Sequence, residues 1–393
     1  MHRAEPNVQL PTTFRWGALI VAAVGLVLSI LGLLSDIDLF FQVYLIAYLV
    51  CLELALGCLG LLLLAHLVNS RWTFAVERVA AAGARTLPLL AVLFLPLLFG
   101  LDRIYPWATP EALVGLEGGK AIWMQPAFFI ARAVLYFVIW IWLSYAISNL
   151  SYRHDASGDG RLLMQASRVS ILGMILYMLT TTFAAFDFSM SFELTWFSSV
   201  YGWLSLSRSG LAVMAFVMVV LGLLWENRPF KLVISNRVLT DLGTLLLVSL
   251  MVWVYLTFIQ FIVYWSGNLP SKIAYYVERT SGGWDGIIFL IILFHFLMFV
   301  LLLIPGMKKV RWVLMSIAGL LLLLRLVDMY WTVLPNYEAQ VGLQLWALGL
   351  PLAIGGAWFA LFVWLFGRQS PLPTRQLETV LAEQEEEHYG MVG

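Results

Sequence analysis

The sequence contains few charged residues. They make up 12% of its 393 positions, against roughly 25% in a soluble domain. The formal net charge is +0 at pH 7, whereas domains that bind nucleic acid usually carry an excess of Lys and Arg. The shortage of charge argues against an ordinary soluble domain, and its balance gives no indication of a nucleic-acid partner.

Cysteine is also scarce. Only Cys51 and Cys58 occur, within one apolar run. A helix separates such positions by about 10 Å along its axis, too far for a disulfide bond. No CxxC or CxxCH motif occurs, so we expect this chain alone to hold no iron–sulfur cluster and no covalently attached haem. The first residues are polar and lack a short apolar segment with a cleavage site, so we expect no cleaved signal peptide.

Apolar and aromatic residues are abundant instead. The chain is 62% hydrophobic and has 17 Trp. A membrane-spanning helix needs about 20 mostly apolar residues, and ten segments meet that requirement. We therefore predict an all-α polytopic membrane protein with about ten transmembrane helices. The predicted segments are approximately 16–34, 39–67, 79–101, 122–149, 162–187, 207–225, 239–265, 285–305, 311–334 and 341–367.

Lys and Arg are distributed unequally between the two sets of predicted loops. Because cytoplasmic loops are enriched in Lys and Arg, the bias predicts that both termini are cytoplasmic in a multi-pass plasma-membrane protein. The richer side carries Arg3, Arg15, Arg71, Arg78, Arg153, Arg161, Arg228, Lys231, Arg237, Lys308, Lys309, Arg311, Arg368 and Arg375, and the poorer side carries Arg103, Lys120, Arg208, Lys272 and Arg279.

Two non-membrane segments are expected at the termini. Residues 1–15 form a cytoplasmic N-terminal segment, and residues 368–393 form an acidic cytoplasmic tail. Two prolines, Pro371 and Pro373, end the last helix. The tail beyond them is either solvated or forms a short helix that docks on a partner subunit.

The segment 186–202 interrupts the apolar pattern in the middle of the chain. It contains Asp187, Glu193, several aromatic residues including Trp196, and no Lys or Arg. Aromatic side chains with polar neighbours are typical of the membrane–water interface. We therefore predict an interfacial or re-entrant segment at 188–206, with both acids near one membrane surface.

Several ionisable residues lie inside predicted spans, where a charge costs roughly 2.5–3.5 kcal/mol on insertion scales. Arg325 and Asp328 are three residues apart, so a helix makes them neighbours. They form either a self-neutralising packing pair or an acid that exchanges protons beside Arg325. Glu53 lies mid-span among leucines and is either a protonated structural residue or a proton relay. Further polar residues within spans are Arg85, Arg132, Gln260 and Asp285.

Other ionisable residues lie at different depths. His66 and Asp241 lie near the cytoplasmic ends of their spans and are either proton entry points or helix-end residues that reach water. His295 lies near the centre of its span and is either a packing residue or a ligand. Since His66 and His295 differ in depth, we expect no b-type haem. Together with Glu53, Asp187 and Asp328, these groups could supply a transmembrane proton path.

Several motifs give the chain a family resemblance. They are the central segment 186–202 and the stretches 241–243, 253–255, 260–261, 265–270, 275–276, 294–296 and 326–335. In these stretches the chain resembles the ActF-type membrane subunit of bacterial alternative complex III, in the polysulfide-reductase-like (NrfD-type) group. It departs from that pattern at Phe188 (Trp in the family), Leu194 (Pro), Thr195 (often His) and Ile259 (Ser).

The resemblance implies a particular fold and set of partners. Bundle one would comprise spans 2–5 (about 39–187) and bundle two spans 6–9 (about 207–334), flanked by spans 1 and 10. The partners would be a sister NrfD-like quinol-site subunit, an iron–sulfur subunit and haem c subunits in a bacterial cell membrane. Haem c and iron–sulfur clusters would belong to those partners, and menaquinone or another quinone is a possible ligand here.

The function expected from residues and resemblance together is that of a non-redox-centre subunit of a respiratory or photosynthetic quinol:electron-acceptor oxidoreductase. It would support quinol oxidation and conduct protons through Glu53, His66, Asp187, Asp241, His295, Arg325 and Asp328. Alternatives are a quinone-binding subunit, with Glu193, Trp196 and Gln260 near the quinone, or a scaffold in the same complex. A stand-alone proton-coupled transporter is less favoured, because no matched pair of Gly/Pro-broken helices is evident.

Overall fold

The structure is a computed structural model that describes residues 12–68, 70–109, 118–194, 196–227, 230–338, 340–342 and 344–373. These residues form helices and loops, with no strand among them. The expectations for residues 1–11 and for most of the acidic tail, 374–393, lie outside the described residues, as do those for Thr195 and Arg228.

The predicted all-α membrane fold is confirmed. In the described part of the chain, ten helices are long and apolar enough to cross a membrane. We number them spans 1 to 10: Thr13–Ser35, Ile37–Leu67, Arg71–Phe99, Pro126–Ser157, Gly160–Met190, Tyr201–Leu224, Asn236–Gly267, Trp284–Leu303, Arg311–Asn336 and Leu345–Phe366.

Spans 3 and 5 depart from regular α-helix. Span 3 is divided into Arg71–Ala84, Leu87–Leu93 and Leu95–Phe99, and a proline lies in the first turn of each of the last two pieces. Proline lacks the N–H that would continue the preceding hydrogen-bond ladder. Span 5 is α-helical over Gly160–Ala185 and ends in a π-turn, Phe186–Met190.

The remaining helices are short. Turns of 3₁₀-helix end span 9 (Leu334–Asn336) and begin span 10 (Leu345–Leu348). The connecting helices are Leu101–Ile104, Pro106–Ala108, Gly118–Trp123, Phe230–Val233, Pro270–Glu278 and Met307–Lys309.

The spans pack as the two expected groups, 2–5 and 6–9, and spans 2, 5, 6 and 9 supply most of the contact between them. Span 2 is central, since 83% of its most apolar window is buried. Spans 1 and 10 pack on each other as one pair, and span 10 packs against span 2. Glycines make the pair close: a Cβ on Gly25 would lie 2.3 Å from the backbone N of Ala353.

Loops meet at each end of the molecule. At one end, which we call the 191–200 end, the Lys120 amine donates to the carbonyl of Leu194 and the Trp284 indole donates to the carbonyl of Glu338 at 3.1 Å. At the opposite end, Arg78 pairs with Asp155. The connections after spans 3 and 5 therefore meet at one end, and the first part of span 3 meets the end of span 4 at the other.

The structure differs from the predicted interfacial segment at 188–206. Its first residues belong to the π-turn that ends span 5, and span 6 begins at Tyr201. Arg208, which the sequence analysis counted as a loop charge, lies inside span 6 and is only 4% exposed. Because a charge lowers the mean hydropathy of any window containing it, hydropathy placed the start of this span too late.

Candidate functional site: buried charges at the bundle interface

Asp187 lies in the π-turn of span 5, where its carboxylate is almost completely surrounded by donors. Arg132 of span 4 donates from Nε to Oδ2 at 2.8 Å and from Nη2 to Oδ1 at 2.9 Å. The Tyr136 hydroxyl donates to Oδ2 and the Trp123 indole donates to Oδ1, both at 2.8 Å. Such a two-pronged Arg–carboxylate pair is among the stronger ionic interactions in proteins.

The partner of Asp187 is itself fixed by packing. The Arg132 guanidinium lies 4.0 Å from the ring centre of Trp123 and 4.4 Å from that of Phe128. Stacking between aromatic rings restricts the guanidinium to one orientation. Asp187 is 1% exposed, so this pair is an ordered, charge-neutral buried unit within bundle one.

A second group of charges joins the two bundles. In span 9, Arg325 Nη1 lies 2.9 Å from Asp328 Oδ2, which confirms the predicted i,i+3 pair. Arg325 Nη2 also lies 3.5 Å from Glu53 Oε2 of span 2. Arg208 Nε of span 6 lies 3.7 Å from Asp328 Oδ2. We call these four residues the four-charge chain.

The four-charge chain is neutral when ionised, because two guanidinium groups face two carboxylates. Glu53 is therefore not the isolated carboxylate that the sequence indicated, and its partner comes from the other bundle. All four side chains are buried. Buried charges need excellent geometry to offset their loss of hydration, yet only the Arg325–Asp328 contact is shorter than 3.5 Å.

Hydrogen bonding in the four-charge chain is incomplete. Arg208 Nη2 donates to the Thr332 hydroxyl at 3.2 Å. Among the described residues, Arg208 Nε, the three guanidinium nitrogens of Arg325 and Asp328 Oδ2 have no partner in hydrogen-bond geometry. Buried polar atoms are usually satisfied, so this site differs sharply from the saturated Asp187 site.

His295 of span 8 lies beside the four-charge chain. Its Nδ1 is 2.7 Å from the Ile291 carbonyl. A carbonyl can only accept, so Nδ1 donates and Nε2 is the unprotonated nitrogen of the neutral ring. The centre of the imidazole lies 4.3 Å from that of the Trp253 ring, with the two rings tilted by 31°, and the Arg325 guanidinium lies 5.5 Å from the centre of the Trp253 ring. The Trp253 ring therefore lies close to both the His295 imidazole and the Arg325 guanidinium.

His66 lies at the opposite end of the molecule, near span 3. Its Nε2 is 3.8 Å from Glu77 Oε1, and Nδ1 is 2.9 Å from the Leu62 carbonyl. The Ser151 hydroxyl of span 4 donates to the same Glu77 oxygen. The structure therefore gives His66 an acidic partner but does not join it to the four-charge chain by any contact in the described part of the protein.

Asp241 is a predicted site residue that lies apart from the other candidates. It is partly exposed near the start of span 7. Across the described ranges, no hydrogen bond or ion pair connects it to the other candidate residues. Its partial exposure near this end of the span lets the side chain reach water.

Glu193 lies at the 191–200 end, together with a buried aromatic cluster formed by Trp196, Tyr201, Tyr275 and Tyr276. Glu193 Oε2 is 4.0 Å from Arg279 Nη1. Burial raises the pKa of the Glu193 carboxyl above its ordinary value of 4.5, and Arg279 opposes that rise. The Trp196 ring stacks on Tyr275 at 4.1 Å. Burial also raises the pKa of Tyr275 to about 12, so its phenol stays protonated.

Arg279 is the cation that organises this cluster. It is completely buried and donates to the carbonyls of Tyr275 and Thr332 at 2.9 and 2.8 Å. Its guanidinium lies 3.4 Å from the centre of the Tyr275 ring. Thr332 is also the residue whose hydroxyl accepts from Arg208, so Arg279 and the four-charge chain share one turn of span 9.

Gln260 of span 7 connects the aromatic cluster to the central loop. Its carbonyl accepts from the Ser198 hydroxyl at 2.9 Å, and its amide donates to the Tyr276 hydroxyl at 3.3 Å. The Trp196 indole N–H, by contrast, is buried without a partner among the described residues.

The structure brings together Glu53, Arg325 and Asp328 and places His295 beside them. It leaves Asp187, His66 and Asp241 in separate positions. The sequence analysis missed the roles of Arg208, Arg279 and Glu77. The signal that could have found Arg208 is its place as the second residue of the predicted segment 207–225, directly before the apolar run 209–224.

Comparison with known proteins adds no further evidence, since no protein-family model matches the chain and no curated protein matches it. Within the described residues, no group of three or more His, Cys, Asp or Glu side chains is placed to hold a metal ion. Cys51 and Cys58 are buried free thiols, as their spacing predicted.

Proposed function

We propose that this chain is a membrane subunit of a quinol:electron-acceptor oxidoreductase of the alternative complex III type, and that it carries protons coupled to quinol oxidation in its partners. The observation that supports this function best is the four-charge chain. Ionisable residues inside the membrane are rare, and those that line transport paths are typically paired with one another.

The proposal assigns different roles to the two aspartates. Asp187 accepts four hydrogen bonds, so its carboxylate is held in place and acts as an anchor between spans 4 and 5. Asp328 lies between two arginines with incomplete hydrogen bonding. Its surroundings can therefore rearrange when a neighbouring group changes charge.

The remaining assignments follow from the loop charges and the family resemblance. Both termini would face the cytoplasm, and the 191–200 end would face the periplasm of a bacterium. An iron–sulfur subunit, haem c subunits and a sister quinol-site subunit would supply the redox centres. The chain itself would contribute the proton path and the contact surface for those partners.

The experiment that tests the proposal uses the purified complex in liposomes. Proton release beyond the scalar protons of quinol oxidation is measured for the unmodified complex and for Asp328→Asn. We expect electron transfer to persist while the additional protons disappear. Unchanged additional protons in Asp328→Asn would remove the four-charge chain from the path. No additional protons in the unmodified complex would refute proton translocation altogether.

A second candidate function, quinone binding, is favoured by the unpartnered indole N–H of Trp196. An indole N–H can donate to a quinone carbonyl, and Tyr275 covers one face of the Trp196 ring. Gln260 contributes less, because Ser198 and Tyr276 already use both ends of its amide. Trp196→Phe would weaken quinone binding to the isolated subunit if this function is correct, and would leave it unchanged otherwise.

A further inference from the structure

A small cavity lies where the two bundles meet, directly beside Glu53. Its volume is about 20 Å³, and roughly 10–15 Å³ of such space is enough for one water molecule. Residues from spans 2, 5, 6 and 9 line it, so it belongs to the interface and not to either bundle alone. The polar lining residues are Glu53, Thr181, Ser189 and Ser205.

The hydroxyl of Thr181 marks this cavity as a polar site. Thr181 is 2% exposed, and its Oγ1 has no hydrogen-bond partner among the described residues. Ser189, one turn beyond Ala185, already donates to the Ala185 carbonyl at 3.0 Å but can still accept. A water in this cavity would have Glu53, Thr181 and Ser189 around it as hydrogen-bond partners. A buried water typically makes about three hydrogen bonds.

Glu53 also has the weaker attachment of the two carboxylates in the four-charge chain. Its contact with Arg325 is 3.5 Å, whereas Asp328 lies 2.9 Å from the same guanidinium and also faces Arg208. Removing the charge of Glu53 would leave Arg325 with its closer partner. Removing the charge of Asp328 would leave two arginines competing for one distant carboxylate.

We propose that this cavity is a water site and that Glu53 is the residue that exchanges a proton with it. The inference rests on the proposed proton-carrying function and names the group within that path that changes protonation. The step is a simple transfer. A hydronium ion in the cavity gives one proton to a Glu53 oxygen and becomes water, and the reverse step returns it.

The groups facing Glu53 limit where the proton can go. Arg325 and Arg208 are the cations, Asp328 is the other anion, and Tyr177 of span 5 lies nearby. The cavity extends from Glu53 to Phe188 and Ser189, and the Ser189 carbonyl accepts from the Tyr201 hydroxyl at 3.2 Å. The cavity therefore extends from Glu53 toward the 191–200 end.

Infrared difference spectroscopy of the full chain in nanodiscs tests this inference without partners or quinol. The carbonyl stretch of a protonated carboxylic acid is followed during pH titration. We expect a band that is lost in Glu53→Gln and retained in Asp241→Asn. Thr181→Val should shift it, whereas Thr182→Val should not, because Thr182 packs against Gly202. Glu53→Asp keeps an acid and should keep a band if Glu53→Gln fails to fold.

Each outcome bears on the inference separately from the proposed function. A band that survives in Glu53→Gln would overturn the assignment to Glu53, and identical spectra for Thr181→Val and Thr182→Val would overturn the water site. If the titration behaves as expected while the complex in liposomes releases no additional protons, the proposed function fails and the inference about Glu53 stands.

Discussion

Arg325 of span 9 lies 3.5 Å from Glu53 of span 2, so an ion pair crosses the interface between the two bundles. The same guanidinium lies 2.9 Å from Asp328 in its own helix. The Arg325 guanidinium therefore faces two carboxylates: Asp328 in its own bundle and Glu53 in the other bundle. A change of charge on either acid alters a contact between bundles, which connects protonation to packing.

Replacing Arg325 with Met should destabilise the protein strongly. The substitution leaves Glu53 without its cation and Asp328 with only Arg208 at 3.7 Å. Removing one partner of a buried ion pair typically costs about 3–5 kcal/mol. Equilibrium unfolding in mixed micelles measures this loss. The double variant Arg325→Met/Glu53→Gln should recover part of it, and strictly additive losses would show that the two side chains are not coupled.

Arg311 provides the matched control for that experiment. It pairs with Glu226, whose side chain is 65% exposed, at the opposite end of the molecule. Exposed pairs contribute about 0–1 kcal/mol. Arg311→Met should therefore have a small effect. Equal losses at positions 311 and 325 would mean that burial of the four-charge chain has no energetic consequence.

Asp187→Asn should also be strongly destabilising, for a different reason. An asparagine removes the charge that balances Arg132 and replaces one acceptor oxygen with a donor. We expect a loss of about 3–5 kcal/mol in unfolding free energy. Tyr136→Phe removes a single 2.8 Å bond to the carboxylate and should cost about 1.5–3 kcal/mol.

Tyr145→Phe serves as the control, because the Tyr145 side chain is partly exposed. It should leave stability nearly unchanged. A small effect of Asp187→Asn would contradict the anchoring role given to this residue. A Tyr136→Phe variant as damaging as Asp187→Asn would indicate that packing, and not the charge, determines the effect.

The sequence contains enough information to predict the number of spans but not every charge within them. Long apolar runs determine where helices cross, and the three-residue spacing made Arg325 and Asp328 neighbours. The partner of Glu53 could not be predicted, because it lies more than 270 positions away and depends on how two bundles pack. Arg208 was missed because a charge inside an apolar run resembles the end of that run.

Close packing of spans 1 and 10 gives a prediction that depends on two adjacent glycines. A Cβ on Gly356 would lie 2.8 Å from the backbone N of Ala22, whereas one on Gly355 would meet nothing within 4 Å. Overpacking typically costs about 1–3 kcal/mol. Gly356→Val should lower the free energy of unfolding by that amount, and Gly355→Val should leave it unchanged. A larger loss for Gly355→Val than for Gly356→Val would contradict the observed pairing of these spans.

Stability should depend on pH through Glu193. Burial raises the pKa of this carboxyl above 4.5, so the folded protein binds the proton more tightly than the unfolded chain. The stabilisation of the folded protein by Glu193 is therefore fully present below pH 4.5. It is lost as the pH rises through the raised pKa of the folded state. Thermal unfolding of Glu193→Gln across this window should show a smaller decline with pH than the unmodified protein. Identical pH profiles would contradict the prediction.

Orientation in the membrane can be tested with single cysteines, because Cys51 and Cys58 are buried and should react little. Ser281 is exposed near the 191–200 end and Ser157 is exposed at the opposite end. A membrane-impermeant thiol reagent added to intact spheroplasts should label Ser281→Cys at once and Ser157→Cys only after permeabilisation, because the basic loops are expected inside. The reverse pattern would invert the proposed orientation. Spans 5, 6 and 7 separate these two loops, so the loops should lie on opposite sides of the membrane. Labelling of both cysteines from outside would contradict that topology.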